Sequence, residues 1–227
     1  MKQSVLDLQT QVTDVLADAV LTSVIALDEL TIEVAPSRAI ESFTKLKEII
    51  GFEQLIDICG VDYLNYGDAN WETMAAANKG FSRGVFDFAE EESEEDLNKP
   101  RRFASVYHLI SIAKNLRIRV KVFPENTQMP IVPSVMSIWS CADWFERESF
   151  DLLGIIYEGH PDLRRLLTDY GFIGHPLRKD FPLVGQVEMR YDNEKGRVVY
   201  EPVTIENRVN VPRVIREDKI AESNEGV

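Results

Sequence analysis

A chain of 227 residues, 44% hydrophobic and 28% charged, carries enough apolar material for its own core, which excludes global disorder, collagen-like repeats and a coiled coil. Its two cysteines, Cys59 and Cys141, exclude a disulfide scaffold and fit a reducing compartment. The formal net charge of −13 repels phosphate backbones and anionic lipid, so nucleic acid is not the expected partner.

The first twenty residues have no basic start ahead of an apolar stretch and no arginine, and read as a bacterial cytoplasmic start. No apolar run approaches the ~20 residues of a membrane helix. Val5, Leu8, Val12, Leu16 and Val20 recur at near-helical spacing and predict a helix over 4–20. Two strands are expected at 22–27 and 30–34, with Asp28-Glu29 as the hairpin turn. Pro36-Ser37 opens a second helix whose apolar face is Ile40, Phe43, Leu46, Ile49 and Ile50, and Gly51 stops it. Gln54 to Cys59 is a short strand candidate ending at Gly60.

Residues 65–104 read as an insertion or long loop, because the run from Glu90 to Asp96 is almost wholly acidic and repels itself. It lacks the spaced ligands and turn glycine of a calcium loop. Charge is uneven: residues 1–104 carry a net −11 and residues 105–227 a net −2. Strands are expected at 103–112 and 116–123, joined at Asn115. In the second, Leu116, Ile118, Val120 and Val122 alternate with Arg117, Arg119 and Lys121, so one face packs and the other presents cations to solvent or to an acidic partner. One or two helices are expected over 133–157. Beyond Tyr157 glycine and proline are frequent. Residues 176–227 hold only brief strand-like pieces such as Arg197 to Tyr200, and read as an extended C-terminal tail that wraps a neighbouring subunit. The main domain is then 1–175.

The chemistry-bearing residues form no familiar motif. His108, His160 and His175 have no helical His partner and no CxxC nearby, so no zinc motif is present. No G-x-S-x-G, G-x-G-x-x-G, P-loop or four-cysteine set occurs. Cys59 and Cys141 read as buried packing residues. The notable stretch runs from Trp144 to Gly154. It sets Glu146, Arg147, Glu148 and Asp151 among Trp144, Phe145, Phe150, Leu152 and Leu153. Glu148 and Asp151 share a helix face with Trp144, and Arg147 and Asp151, four apart, are spaced to pair. Carboxylates beside so much apolar surface need cations, and Arg164, Arg165, Arg178 and Lys179 follow. A catalytic carboxylate pair competes with this ion-pair network, but no nucleophile accompanies it. The repeated Gly-His-Pro at 159–161 and 174–176 admits a hydrolase built on His160 or His175, or simply two turns.

The run ERESFDLLGIIYEGHPDLRRLLTDYGFIGHPLRKDFPL, 146–183, resembles the defining motif of the thirty-kilodalton subunit of respiratory complex I. The motif residues here are Glu146, Arg147, Glu148, Asp151, His160, Arg164 and Arg165, followed by Leu166. Asp169-Tyr170-Gly171-Phe172 and Glu188-Met189-Arg190-Tyr191 add to the likeness, which is strong from about 101 to 216 and weaker over 1–64. The resemblance implies an α+β fold, a mixed β-sheet flanked by helices. It implies a structural subunit of the peripheral arm of the NADH:quinone oxidoreductase, in its stand-alone form. Such a protein binds no cofactor of its own, while the complex uses FMN, iron–sulfur clusters, NADH and quinone. Its partners are the larger, forty-nine-kilodalton D subunit, the B subunit and the I subunit, on the cytoplasmic face of the inner membrane. The motif residues become fold and interface elements, with no catalytic, cofactor or metal role. Related subunits in membrane-bound hydrogenases share these features and stay open as an alternative.

Overall fold

In the computed structural model, which describes residues 3–64, 66 and 99–205, helix α1 spans Gln3–Leu16 and buries Val5, Leu8, Val12 and Leu16. It ends earlier than its periodicity suggests. Ala17 takes a positive φ of 46°, a tight turn covers Ala17–Ala19, and Val20 opens strand β1, Val20–Ala26. Strand β2 is Glu29–Val34. The turn residues are Leu27 and Asp28, both at positive φ (54° and 60°), the geometry whose twist suits a two-residue hairpin. Glu29 therefore belongs to the strand and not to the turn.

A short turn at Pro36–Arg38 leads into α2, Ala39–Lys45, which widens into a π turn over Leu46–Ile50 and stops at Gly51 with φ 88°. Phe43, Leu46 and Ile50 are buried, whereas Ile40 and Ile49 are exposed. The wider turn rotates Ile49 off the face that the regular spacing assigns it.

Strand β3 runs Gln54–Asp62, continuing through Gly60. Strands β4, Phe103–Ser111, and β5, Leu116–Val122, turn at Asn115. The five strands form one sheet ordered β1-β2-β5-β4-β3. The β2–β5 pair is parallel and the others antiparallel, so the sheet is mixed. Leu30, Ile32, Val34, Ile118, Val120, Val122, Tyr107 and Leu109 line its inner face and join the apolar residues of α1 and α2 in one core. Phe43 meets Tyr107 at 4.5 Å between ring centroids and Trp139 at 6.0 Å. Each such side chain, fully buried, contributes about 1.5–3 kcal/mol.

Between 131 and 158 the chain is strand–helix–strand. Strand β6, Ile131–Pro133, pairs in parallel with β7, Ile156–Glu158, and α3 between them covers only Ala142–Leu153. Pro130 and Pro133 hold the start of this stretch extended. At the far end Gly154, with φ 78°, closes the helix.

Irregular chain follows, but it is tied down. The Leu177 amide donates to the Leu152 carbonyl at 3.0 Å and Phe172 stacks on Phe181 at 5.8 Å. Among the described residues, 3–64 and 99–183 form one compact unit. Residues from 184 belong to a second unit, where β8, Val187–Asp192, pairs antiparallel with β9, Arg197–Pro202. The regular part of the expected tail is thus a hairpin. The acidic run from Glu90 to Asp96 lies outside the described residues.

Candidate functional site

The motif residues converge on α3 and the irregular chain that follows it. Three buried carboxylates organise them. Glu146, fully buried, accepts from the Ser134 hydroxyl at 2.6 Å and the Val135 amide at 2.8 Å. Burial raises its pKa, against the pull of those two donors and of His160. The His160 side chain is also fully buried, with Nε2 3.2 Å from Asp143 and 4.0 Å from Glu146. The Asp162 amide donates to its Nδ1 at 3.1 Å, so the ring proton sits on Nε2, facing the carboxylates.

Asp151 holds the next turn of chain. Its carboxylate accepts from three consecutive amides, Leu166 at 3.0 Å, Leu167 at 2.7 Å and Thr168 at 2.9 Å. It also accepts from the Thr168 hydroxyl and from Arg165 Nη1 at 3.0 Å. Burial alone would raise its pKa. The Thr168 hydroxyl and the three amides together outweigh burial and hold the carboxyl well below the usual carboxylate range. Arg165 continues to the Gly174 carbonyl at 2.9 Å. His175 Nδ1 lies 2.9 Å from the Asp151 carbonyl, with its ring against Gly154. A Cβ at Gly154 would stand 2.8 Å from that ring, so glycine is required there for space as well as for φ.

The expected Arg147–Asp151 pair does not form. Arg147 is buried and donates to the carbonyls of Arg164 (3.1 Å) and Arg165 (3.2 Å), while Arg165 takes Asp151. Arg164 contributes through that carbonyl, and its side chain pairs with Asp162 in solvent. Glu148 and Trp144 share the exposed face of α3, but Asp151 is inside. Cys141 is exposed and Cys59 only half-buried, so the expectation of buried packing residues fails at Cys141 and holds only in part at Cys59. Burial, then the Asp57 carboxylate, push the Cys59 thiol up.

Sequence reasoning missed the third anchor. Asp62 receives Arg102 through two bonds of 2.9 Å, both side chains being essentially sealed from solvent. The same carboxylate accepts the amides of Leu64 at 3.0 Å and Lys179 at 2.9 Å. Arg102 also reaches Asp180 at 3.1 Å, and Arg178 pairs with Asp180 in turn. The basic residues at 178–179 were the one available signal, and Lys179 acts through its backbone.

The outer sheet face is not a bare row of cations. Arg119 pairs with Glu29 at 2.6 Å and donates to His108 Nε2 at 3.0 Å, and Lys121 lies 3.3 Å from the Tyr63 hydroxyl. Beside them Asp57, Cys59 and His108 bring three potential ligand atoms within 4.8 Å of one another. No local spacing announces that trio, because two ligands lie on β3 and the third on β4.

Comparison with known proteins adds to this geometry. The family model described as respiratory-chain NADH dehydrogenase, 30 Kd subunit, matches residues 32–187. The NADH-quinone oxidoreductase C subunit of Hydrogenovibrio crunogenus is 71% identical over 218 residues, covering 96% of this chain and 98% of the relative. That of Coxiella burnetii (strain Dugway 5J108-111) is 56% identical over 204 residues, covering 89% and 88%. A chain of the membrane-bound sulfane sulfur reductase, an archaeal respiratory membrane complex, shares the fold at 19% identity. Its TM-score is 0.50, and the likeness covers 85% of this chain and 98% of that one.

Proposed function

This chain belongs to the respiratory-chain NADH dehydrogenase 30 Kd subunit family, and from that membership we propose that it acts as the C subunit of an NADH-quinone oxidoreductase, holding the peripheral arm together. In this reading it binds no redox cofactor, and the flavin, the iron–sulfur clusters and the quinone site belong to other subunits. No described helix is long and apolar enough to cross a membrane. In this reading membrane association follows from the family membership, and not from that absence, and is indirect, through the assembled complex on the cytoplasmic face. The partners are the forty-nine-kilodalton D subunit, the B subunit and the I subunit. Glu146, Arg147, Asp151, His160 and Arg165 shape the chain that meets them, and Glu148 and Arg164 lie on its surface.

One observation carries the assembly role. In the β8–β9 hairpin Val187, Met189 and Tyr191 lie across from Pro202, Tyr200 and Val198. All six share one face, on which the five residues other than proline are 47–59% exposed. The other face carries the Arg190–Glu201 ion pair at 2.8 Å. A two-stranded ribbon is marginal by itself, and an apolar face of this kind marks a contact with another protein. A protein partner supplies the missing layer.

The test is capture of the tagged chain from gently solubilised membranes, with partners identified by mass spectrometry. The D and flavin-bearing subunits are expected with the native chain and lost with Met189→Asp/Tyr200→Asp. A native chain recovered alone, or bearing stoichiometric flavin or iron, would overturn the reading.

A further inference from the structure

Outside the motif network, one cluster mixes three ligand chemistries. Strand β3 breaks register with β4 between Leu55 and Asp57, and Asp57 then pairs directly with His108. Such a bulge re-aims a side chain. Cys59, two residues on, shares the strand face with Asp57, so a carboxylate, a thiol and an imidazole meet on the outer side of the sheet. Their ligand atoms all lie within 4.8 Å of one another, and each residue is only half-buried and open to solutes.

We propose that Asp57, Cys59 and His108 form a binding site for a divalent metal of the zinc class. A tetrahedral zinc ion with bonds of about 2.0–2.3 Å sets its ligands about 3.3–3.8 Å apart. The remaining gap is roughly 1 Å, which is within the reach of side-chain adjustment. The donor set selects the metal. Thiolate and imidazole suit zinc or cobalt, whereas calcium and magnesium take oxygen ligands. Three protein ligands leave a fourth position for water.

Arg119 is the competitor. Its Nε–H occupies His108 Nε2 at 3.0 Å, while Nη2 is held by Glu29 at 2.6 Å. Glu29 can retain the guanidinium when a metal takes the imidazole, so the exchange leaves no cation unpaired. Binding releases the Cys59 proton, because the ligand is the thiolate, and affinity therefore increases with pH.

The site stands independently of the assembly role, and its test uses the isolated full chain. Titration with Co²⁺ alone reports a thiolate-to-cobalt charge-transfer band, and Zn²⁺ then displaces the cobalt. The native chain is expected to give the band at one metal per chain. Cys59→Ser abolishes it, and His108→Gln and Asp57→Asn weaken binding by about tenfold or more. Cys141→Ser leaves it intact. Arg119→Gln, which frees His108 Nε2, binds more tightly than the native chain. Circular dichroism verifies that each variant is folded, and Asp57→Asn, a surface isostere, tests the site without disturbing packing. Absence of the band in the native chain, a band that survives Cys59→Ser or needs Cys141, or an Arg119→Gln chain that binds no more tightly would each overturn the proposal.

Discussion

The chain from His160 to Phe181 and the hairpin from Val187 to Pro202 are opposites. The first has almost no regular structure, yet its backbone is pinned. Asp151 takes the amides of Leu166, Leu167 and Thr168, and Asp62 takes that of Lys179. The second is regular throughout its strands, yet most of one face is apolar and uncovered. Regular hydrogen bonding does not make a segment self-sufficient, and irregularity does not make one loose. Satisfied polar groups and covered apolar area decide, and the two segments each hold only one of these.

The largest expected effect breaks the pinned segment. Asp151→Ala removes the acceptor of three amides and leaves Arg165 without its carboxylate, which costs about 3–5 kcal/mol. Urea unfolding measures it, and proteolysis between Arg164 and Lys179 should appear under native conditions. Acid gives the same result without mutation. The Asp151 carboxyl is depressed in the folded chain, so its stabilisation is complete above the unfolded value of about 3.9 and is lost as pH falls through the lower folded value. Glu146 has the opposite sign. Its raised pKa weakens the fold as pH climbs above the unfolded value, so protonation at mildly acid pH offsets part of the acid loss. Stability curves of Asp151→Asn and Glu146→Gln against pH separate the two groups.

Gly154→Ala comes next. The φ of 78° costs about 1–2 kcal/mol for any L-residue. The new methyl also displaces the His175 ring, so a total of about 2–3 kcal/mol is expected by urea unfolding. Glu146→Gln should fall within about 1 kcal/mol of the native chain at neutral pH. The amide oxygen still accepts from Val135, and the amide nitrogen can donate to Ser134, whose hydroxyl turns to suit. A loss as large as that of Asp151→Ala would mean that the Glu146 charge itself organises the segment.

Much of the fold was legible locally. Leu116 to Val122 alternates strictly, and it is a strand with its apolar side in the core. Val5, Leu8, Val12 and Leu16 gave α1. Periodicity misleads where a backbone irregularity overrides it: the positive φ at Ala17, the π turn that exposes Ile49, and the prolines that keep 130–133 extended. The resemblance to the complex I family named the motif residues, but not their partners. Arg147 met carbonyls and not Asp151, because a guanidinium four residues away on the same helix competes with Arg165 arriving from the loop. Asp62 with Arg102, and Asp62 with the Lys179 amide, are separated by 40 and 117 positions, and no local pattern reports a contact made by folding.

The smallest expected effect on stability sharpens the comparison most. Tyr200→Asp and Met189→Asp place charge on the apolar face of the hairpin. Neither residue contributes to the core of the main unit, so urea unfolding of that unit, followed through the buried Trp139, should move by no more than about 0.5 kcal/mol. Capture of the partner subunits should nevertheless fail. Stability untouched with assembly lost is the signature of a face that another chain covers. A main unit weakened as much as by Gly154→Ala would instead make the hairpin part of the fold's own core, and the contrast between the two segments would disappear.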